Sequence, residues 1–189
     1  MKICLLNIDE ITDEEPVRTR LPQRYRRSLK YRSGSDRLRC IGAGLLLIRE
    51  LGIRDESEIL YTPDGKPFLS EGPAFSLSHS GSYCVLAVGE GKVGIDIERM
   101  EEVNLPVLEM AAGAAEVARI PEEDRLRRLY TLWTRKEALA KAVGTENFRD
   151  PREIDLTKYN EKYFSTRFME NYCISTYEEN TQSEKEKPS

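Results

Sequence analysis

One histidine, His79, serves the whole 189-residue chain, so a histidine pair for metal binding or proton relay is excluded within it. The four cysteines, Cys4, Cys40, Cys84 and Cys173, are far apart and lie in apolar runs. None forms the CxxC spacing of a zinc or redox site, and they read as buried thiols. No apolar run approaches the roughly 18 residues of a membrane span. The apolar stretch near Met1, broken by Lys2 and ending at Asp9 and Glu10, is too short for a signal peptide, so a cytoplasmic protein is expected. No GxxxxGK precedes Lys66, which excludes a P-loop, and no clear internal repeat is visible.

The formal net charge of −4 argues against general nucleic-acid binding. The charge is nevertheless uneven, because nine Lys or Arg and a single acid, Asp36, fall between Arg18 and Arg39. The ordinary reading of such a run is a solvated helical face.

Residues 2 to 8 read as a strand, and Asp36 to Leu51 as a buried helix that stops at Gly52. Glu58 to Tyr61 and Phe68 flank a turn at Thr62-Pro63-Asp64-Gly65. Strands follow at Ala74 to Ser78, Tyr83 to Val88 and Val93 to Glu98. Ser80-Gly81-Ser82 and Gly89-Glu90-Gly91-Lys92 between them read as hairpin connections. A helical pattern runs from Glu123 to Val143, and two last strands are expected at Phe164 to Phe168 and Tyr172 to Tyr177. Asn180 to Ser189 are wholly polar and read as a disordered tail.

Two short stretches carry the chemistry. In Gly94-Ile95-Asp96-Ile97-Glu98 the alternation sends both carboxylates to one face of a strand and both isoleucines to the other. In Trp133-Thr134-Arg135-Lys136-Glu137-Ala138-Leu139-Ala140-Lys141, Glu137 and Lys141 are neighbours one helical turn apart. By themselves these are a solvent-facing strand and a surface ion pair worth about 0.2–0.5 kcal/mol. Brought together, three carboxylates and the lysines suit a magnesium-bound pyrophosphate, since Mg²⁺ takes one or two protein carboxylates and fills its octahedron with phosphate oxygens and water.

These stretches, with Gly65-Lys66-Pro67 and Phe75-Ser76-Leu77-Ser78-His79-Ser80 upstream and in the same order, resemble the 4'-phosphopantetheinyl transferase superfamily, in its longer, synthetase-activating form. The resemblance is carried by about residues 60 to 144. It implies an α+β fold of two similar α/β halves fused as a pseudo-dimer, here residues 1–92 and 93–179 followed by the tail 180–189, acting as a monomer. It implies transfer of the phosphopantetheine arm of coenzyme A, with Mg²⁺, to a serine of an acyl or peptidyl carrier protein. Asp96, Glu98 and Glu137 would hold the metal, and Lys141 and Lys136 would meet the pyrophosphate. Ser78 and His79 would lie at the 3'-phosphate side of the coenzyme, with Lys66 and Arg39 near the nucleotide. Glu137 would be the general base. An isolated glutamate, with a pKa of about 4.3 and a cation beside it, is a weak acceptor, so a metal-bound hydroxide or a water held by Glu137 stays open for that role. Trp133 reads as a packing anchor of the helix. In this setting the basic run gains a use, because the coenzyme's phosphates and acidic carrier domains both need cationic partners.

The chain departs from the family pattern twice. Asn104 to Arg119 lacks an aromatic-rich segment, and Thr145-Glu146-Asn147-Phe148 follows Gly144 where Gly or Leu is usual. The competing readings are a non-catalytic relative that binds coenzyme A or carrier domains, and a small nucleic-acid binder using residues 18–39. Intact Asp96, Glu98, Glu137 and Lys141 weigh against the first. The acidic net charge and the lack of a nucleic-acid-binding motif weigh against the second.

Overall fold

The computed structural model describes residues 1–144 and 150–180. Strand β1 (Lys2–Asn7) leads into helices α1 (Glu15–Arg20), α2 (Pro22–Ser28) and α3 (Gly34–Leu51). Both short helices carry proline in the first turn, where its missing N–H costs no hydrogen bond. The Ser33 hydroxyl accepts from the Asp36 amide to start α3, and Gly52, in the left-handed region at φ 71°, closes it as expected. A small hairpin, β2 (Ile59–Tyr61) and β3 (Pro67–Leu69), precedes β4 (Ala74–Ser80) and β5 (Tyr83–Gly89). The rest of the chain adds β6 (Lys92–Arg99), α4 (Leu105–Ala112), α5 (Ala114–Val117), α6 (Arg125–Val143), β7 (Phe164–Met169) and β8 (Tyr172–Glu179).

Two antiparallel three-stranded sheets result, in the orders β1-β5-β4 and β6-β8-β7. Each is made from a strand, a helical stretch, and a hairpin whose second strand inserts beside the first strand. Helix α3 covers the outer face of the first sheet, where Ile41, Leu46 and Leu47 meet Cys4, Cys84 and Leu86. Helix α6 covers the outer face of the second, where Ala138 and Leu139 meet Tyr177, and Leu129 and Tyr130 meet Cys173. Between the sheets, Val85 and Ala87 of β5 pack with Val93, Ile95 and Ile97 of β6 and Ile174 of β8. All four cysteines are buried and unpaired, as their apolar surroundings predict.

One connection differs from expectation. Gly89 to Lys92 is not a hairpin: β5 pairs with β1 and β4, and β6 with β8, so the turn carries the chain from one sheet to the other. The apolar face of β6 is buried against the first sheet rather than hydrogen-bonded into it, and face-to-face burial decides the pairing. The stretch from Asn104 to Arg119 folds as α4 and α5, packed on α6 through Leu108 and Ala112. Among the described residues no helix is long and apolar enough to cross a membrane. Thr145 to Phe148 and most of the polar tail lie outside the described residues.

At one point β6 and α6 touch backbone to backbone. A Cβ built on Gly94 would stand 1.8 Å from the Ala138 carbonyl oxygen, so only glycine permits the approach that brings α6 over the acidic face of β6. Farther along α6, the Thr134 hydroxyl lies 2.7 Å from the Ser175 hydroxyl of β8 and donates to the Tyr130 carbonyl at 2.8 Å, which holds the helix at one level on the sheet.

Candidate active site

The outer face of β6 presents Asp96 and Glu98, and the facing side of α6 presents Glu137 and Lys141, the two pairs that strand and helix periodicity predict. All four line one cavity of about 510 Å³ with Ser78, His79 and Leu77 of β4, Trp133 of α6, Ala43 of α3, and Arg24 and Arg27 of α2. The cavity lies where the two sheets and their helices adjoin.

Asp96 is 3 % exposed and is the centre of a tight group. The Lys141 ammonium donates to Asp96 Oδ1 at 2.6 Å and to Ser78 Oγ at 2.9 Å, and the Ser78 hydroxyl donates to the same Oδ1 at 2.8 Å. Asp96 Oδ2, although buried, has no hydrogen-bond partner. A buried carboxylate oxygen left unsatisfied costs about 1–3 kcal/mol or more, and a cation in the cavity would remove that cost.

Ser76, Ser78 and Ser80 alternate along β4 and all point at β6. Ser76 Oγ accepts from the Ile95 amide at 3.2 Å. Ser80 Oγ accepts from the Arg99 amide at 3.0 Å and donates to Glu98 Oε2 at 2.8 Å. The motif Phe75-Ser76-Leu77-Ser78-His79-Ser80 therefore joins the first sheet to the acidic strand through three hydroxyls. Ser78, expected at the coenzyme's 3'-phosphate side, lines the cavity and is hydrogen-bonded to Asp96 and Lys141.

Burial, and then the nearby Asp96 charge, raise the carboxyls of Glu98 and Glu137 above the usual value, and Lys141 partly offsets the rise. For Glu98 the Ser80 hydroxyl and the Trp133 indole also favour the ionised form. The His79 ring opens to the cavity among protein on several sides. The residue is exposed by surface area, yet desolvation by the surrounding protein, followed by the Arg39 and Lys141 cations, holds its pKa below the ordinary imidazole value.

Lys136, Arg39 and Lys66 lie outside the lining of this cavity. Lys136, expected at a pyrophosphate, turns away from the cavity and is 1 % exposed, with its ammonium on Glu116 at 2.8 Å. The one-residue step from Glu137 rotates it about 100° around the helix, which accounts for the difference. Arg39 donates to the Gly81 carbonyl at 2.7 Å and pairs with Asp36, so it braces the β4–β5 turn beside His79 rather than lining the cavity. Lys66 donates to the Ala142 carbonyl at 3.1 Å at the end of α6 and lines, with Lys141, a smaller adjoining cavity of about 230 Å³. Burial lowers the Lys66 pKa. Of the basic run, Arg24 and Arg27 reach the cavity, and sequence reasoning does not single out Arg24. Their three-residue spacing on one helix was the available signal, since it puts both on one side.

Among the described residues no three His, Cys, Asp or Glu side chains stand together as a ready-made metal cage. Oxygen-only donors, the orphaned Asp96 Oδ2 and two desolvated glutamates around one cavity do fit a hard divalent cation that keeps part of its water and phosphate shell.

The family model described as the 4'-phosphopantetheinyl transferase superfamily matches residues 92–186, just over half of the chain. Over 103 residues the chain is 34% identical to the 4'-phosphopantetheinyl transferase gsp of Aneurinibacillus migulanus, covering 52% of the chain and 43% of that protein. Over 95 residues it is 39% identical to the 4'-phosphopantetheinyl transferase AcpT of Escherichia coli O157:H7, covering 46% of the chain and 49% of that protein. A longer match, 28% over 145 residues, is to the 4'-phosphopantetheinyl transferase pptA of Paxillus involutus, covering 62% of the chain and 55% of that protein. The matched stretch thus spans about half the length of these curated relatives.

Proposed function

Because the chain belongs to the 4'-phosphopantetheinyl transferase superfamily, we propose that it moves the 4'-phosphopantetheine arm of coenzyme A to a serine of an acyl or peptidyl carrier protein, with Mg²⁺. The observation that carries the reading is the convergence of Asp96, Glu98, Glu137 and Lys141 on one cavity, with Asp96 Oδ2 lacking a partner. The repeated strand order of the two sheets supports a pseudo-dimer of halves, 1–92 and 93–179, with the cleft between them. The proposal includes a monomer, since one chain then holds a whole site, acting in the cytoplasm.

Asp96, Glu98 and Glu137 would hold the Mg²⁺. The ion would supply charge neutralisation at the pyrophosphate oxygens. The chain's own residues do the rest. The serine oxygen of the carrier attacks the phosphorus that bears the pantetheine arm, a P–O bond forms, and the P–O bond to the second phosphate breaks. Adenosine 3',5'-bisphosphate leaves with the electron pair. The serine proton passes to Glu137 or to a water that Glu137 holds; burial raises this carboxyl above an ordinary one, and a cation at the same carboxylate would lower it again. The Lys141 ammonium, 2.6 Å from Asp96, is within reach of the leaving oxygens and stabilises their charge. Arg24, Arg27 and His79, at the α2 side of the same cavity, suit the 3'-phosphate, with Arg39 bracing the turn that carries His79.

Intact-mass measurement of an apo carrier protein incubated with this chain, coenzyme A and Mg²⁺ is the test. A mass gain equal to the phosphopantetheine arm is expected. Coenzyme binding without a gain would leave the chain as a binding relative.

A further inference from the structure

Lys136 stands next to Glu137, yet its ammonium is sealed inside the protein. It donates to Glu116 Oε2 of α5 at 2.8 Å and to the Ala111 carbonyl of α4 at 3.4 Å. No other lysine or arginine among the buried residues is so enclosed: Arg24 is 9 % exposed and Lys136 only 1 %. Desolvating an ammonium is expensive, and an apolar residue of similar length would fill the same space without that cost. Such a group is best explained by the arrangement it selects.

The surroundings show what there is to select. Helix α4 packs on α6 through Leu108 and Ala112 against Leu129 and Tyr130, greasy contacts that tolerate a slide. Arg125 donates to Glu109 at 2.7 Å near the start of α6, well before the catalytic turn. Helix α5 is four residues long, too short to be stable by its own hydrogen bonds. Thr134 and Arg135 tie α6 to the second sheet and its flank, through Ser175, Thr166 and Glu161. On the α4–α5 side, the Lys136–Glu116 pair is the directional contact beside the turn that carries Glu137 and Lys141, and it reaches both α4 and α5.

We infer that Lys136 is a positioning residue: through Glu116 and the Ala111 carbonyl it locks the α4–α5 cover to α6, and so fixes the level and rotation at which Glu137 and Lys141 enter the cavity. The catalytic consequence rests on the transferase reading; the lock itself does not. Lys136 then touches neither coenzyme nor carrier, and Glu116, outside both motifs, belongs to the same device. Removing Glu116 strands the Lys136 ammonium in the interior, whereas removing Lys136 frees Glu116, whose side chain is 37 % exposed, to turn to water; either way the tie to α6 is lost. Removing both restores an uncharged contact.

The test compares Lys136→Met, Glu116→Gln, the double variant and Lys136→Arg by amide hydrogen exchange over residues 105–117, by coenzyme A affinity from calorimetry, and by kcat and KM. Both single variants should lose protection in 105–117 and lower kcat roughly tenfold, since small misplacements near the chemistry are costly. Coenzyme A affinity should stay within about twofold. The double variant should be no worse than the worse single, and Lys136→Arg should keep most of the protection and rate. A tenfold or greater loss of coenzyme affinity in Lys136→Met, with Glu116→Gln silent, would make Lys136 a phosphate contact and overturn the inference. Unchanged exchange in both single variants would overturn it as well. If the parent transfers nothing, the exchange and affinity measurements still decide the lock, while the transfer assay alone decides the reaction.

Discussion

Lys141 satisfies one oxygen of Asp96, at 2.6 Å, and leaves the other buried without a partner. On the proposed reading a metal ion would take the oxygen that Lys141 leaves. Two substitutions at this contact should therefore act in opposite directions on metal affinity. Lys141→Met removes the competing ammonium and should tighten Mg²⁺ or Mn²⁺ binding several-fold while lowering the transfer rate at least about 10²-fold. Asp96→Asn removes the anionic ligand and should weaken metal binding tenfold or more, with partial recovery of activity at high Mg²⁺. Metal titration of both variants checks this, and equal weakening in the two would remove Lys141 from Asp96's account.

Gly94 is expected to be irreplaceable. Alanine there meets the Ala138 carbonyl head on, so α6 must lift from β6. Overpacking of this kind costs about 1–3 kcal/mol, and the lift also separates Glu137 and Lys141 from Asp96. Gly94→Ala should lower Tm and abolish most transfer even where the protein stays folded. An active, equally stable variant would show that the two elements do not need contact.

Glu137→Gln should trade activity for stability. The raised carboxyl of Glu137 means that its ionisation opposes folding. The contribution is fully favourable below the ordinary carboxylate pKa and is lost as pH rises through the higher folded value. In chelator, the variant should therefore match the parent near pH 4 and exceed its Tm at pH 7.5 by roughly 2–4 °C, while transfer falls at least about 10²-fold. Added Mg²⁺ should reverse the order by favouring the ionised parent. Melting curves at the two pH values, with and without Mg²⁺, are the measurement. A Tm gain that is the same at both pH values would point to packing rather than charge.

The depressed His79 pKa predicts proton uptake when an anion arrives. A 3'-phosphate beside the ring favours the imidazolium, so coenzyme A should bind more tightly as pH falls from about 8 toward 6.5. The 3'-dephospho form should show little of this slope, and His79→Asn should remove it. Arg27→Glu should raise KM for coenzyme A far more than for the dephospho form. Calorimetry in buffers of different ionisation enthalpy reads the proton directly; equal slopes for both coenzymes would place the 3'-phosphate elsewhere.

What could be read from the sequence was whatever one element decides alone. Alternation in Gly94 to Glu98 set both acids on one face, and the four-residue step set Glu137 beside Lys141. Gly52 ended α3 because a left-handed residue was needed there. What escaped needed two elements at once. Gly89 to Lys92 has the composition of a hairpin turn, but pairing was decided by where Ile95 and Ile97 are buried. Lys136 was adjacent to the chemistry in sequence and turned from it in space, its partner Glu116 lying in a different helix. The tie from Ser78 to Asp96 likewise needed β6 beside β4, which neither strand announces alone.

The serines of β4 have a consequence beyond catalysis. Strand β6 is the edge of its sheet, and an edge with open amides is a template for any passing chain. Two of those amides, at Ile95 and Arg99, are closed by Ser76 and Ser80, hydroxyls too short to continue a ladder. The strand that orients the acids therefore also keeps copies of the protein from adding to one another. Wear at this seam would surface first as self-association on storage or heating, before any change in the folded protein's chemistry.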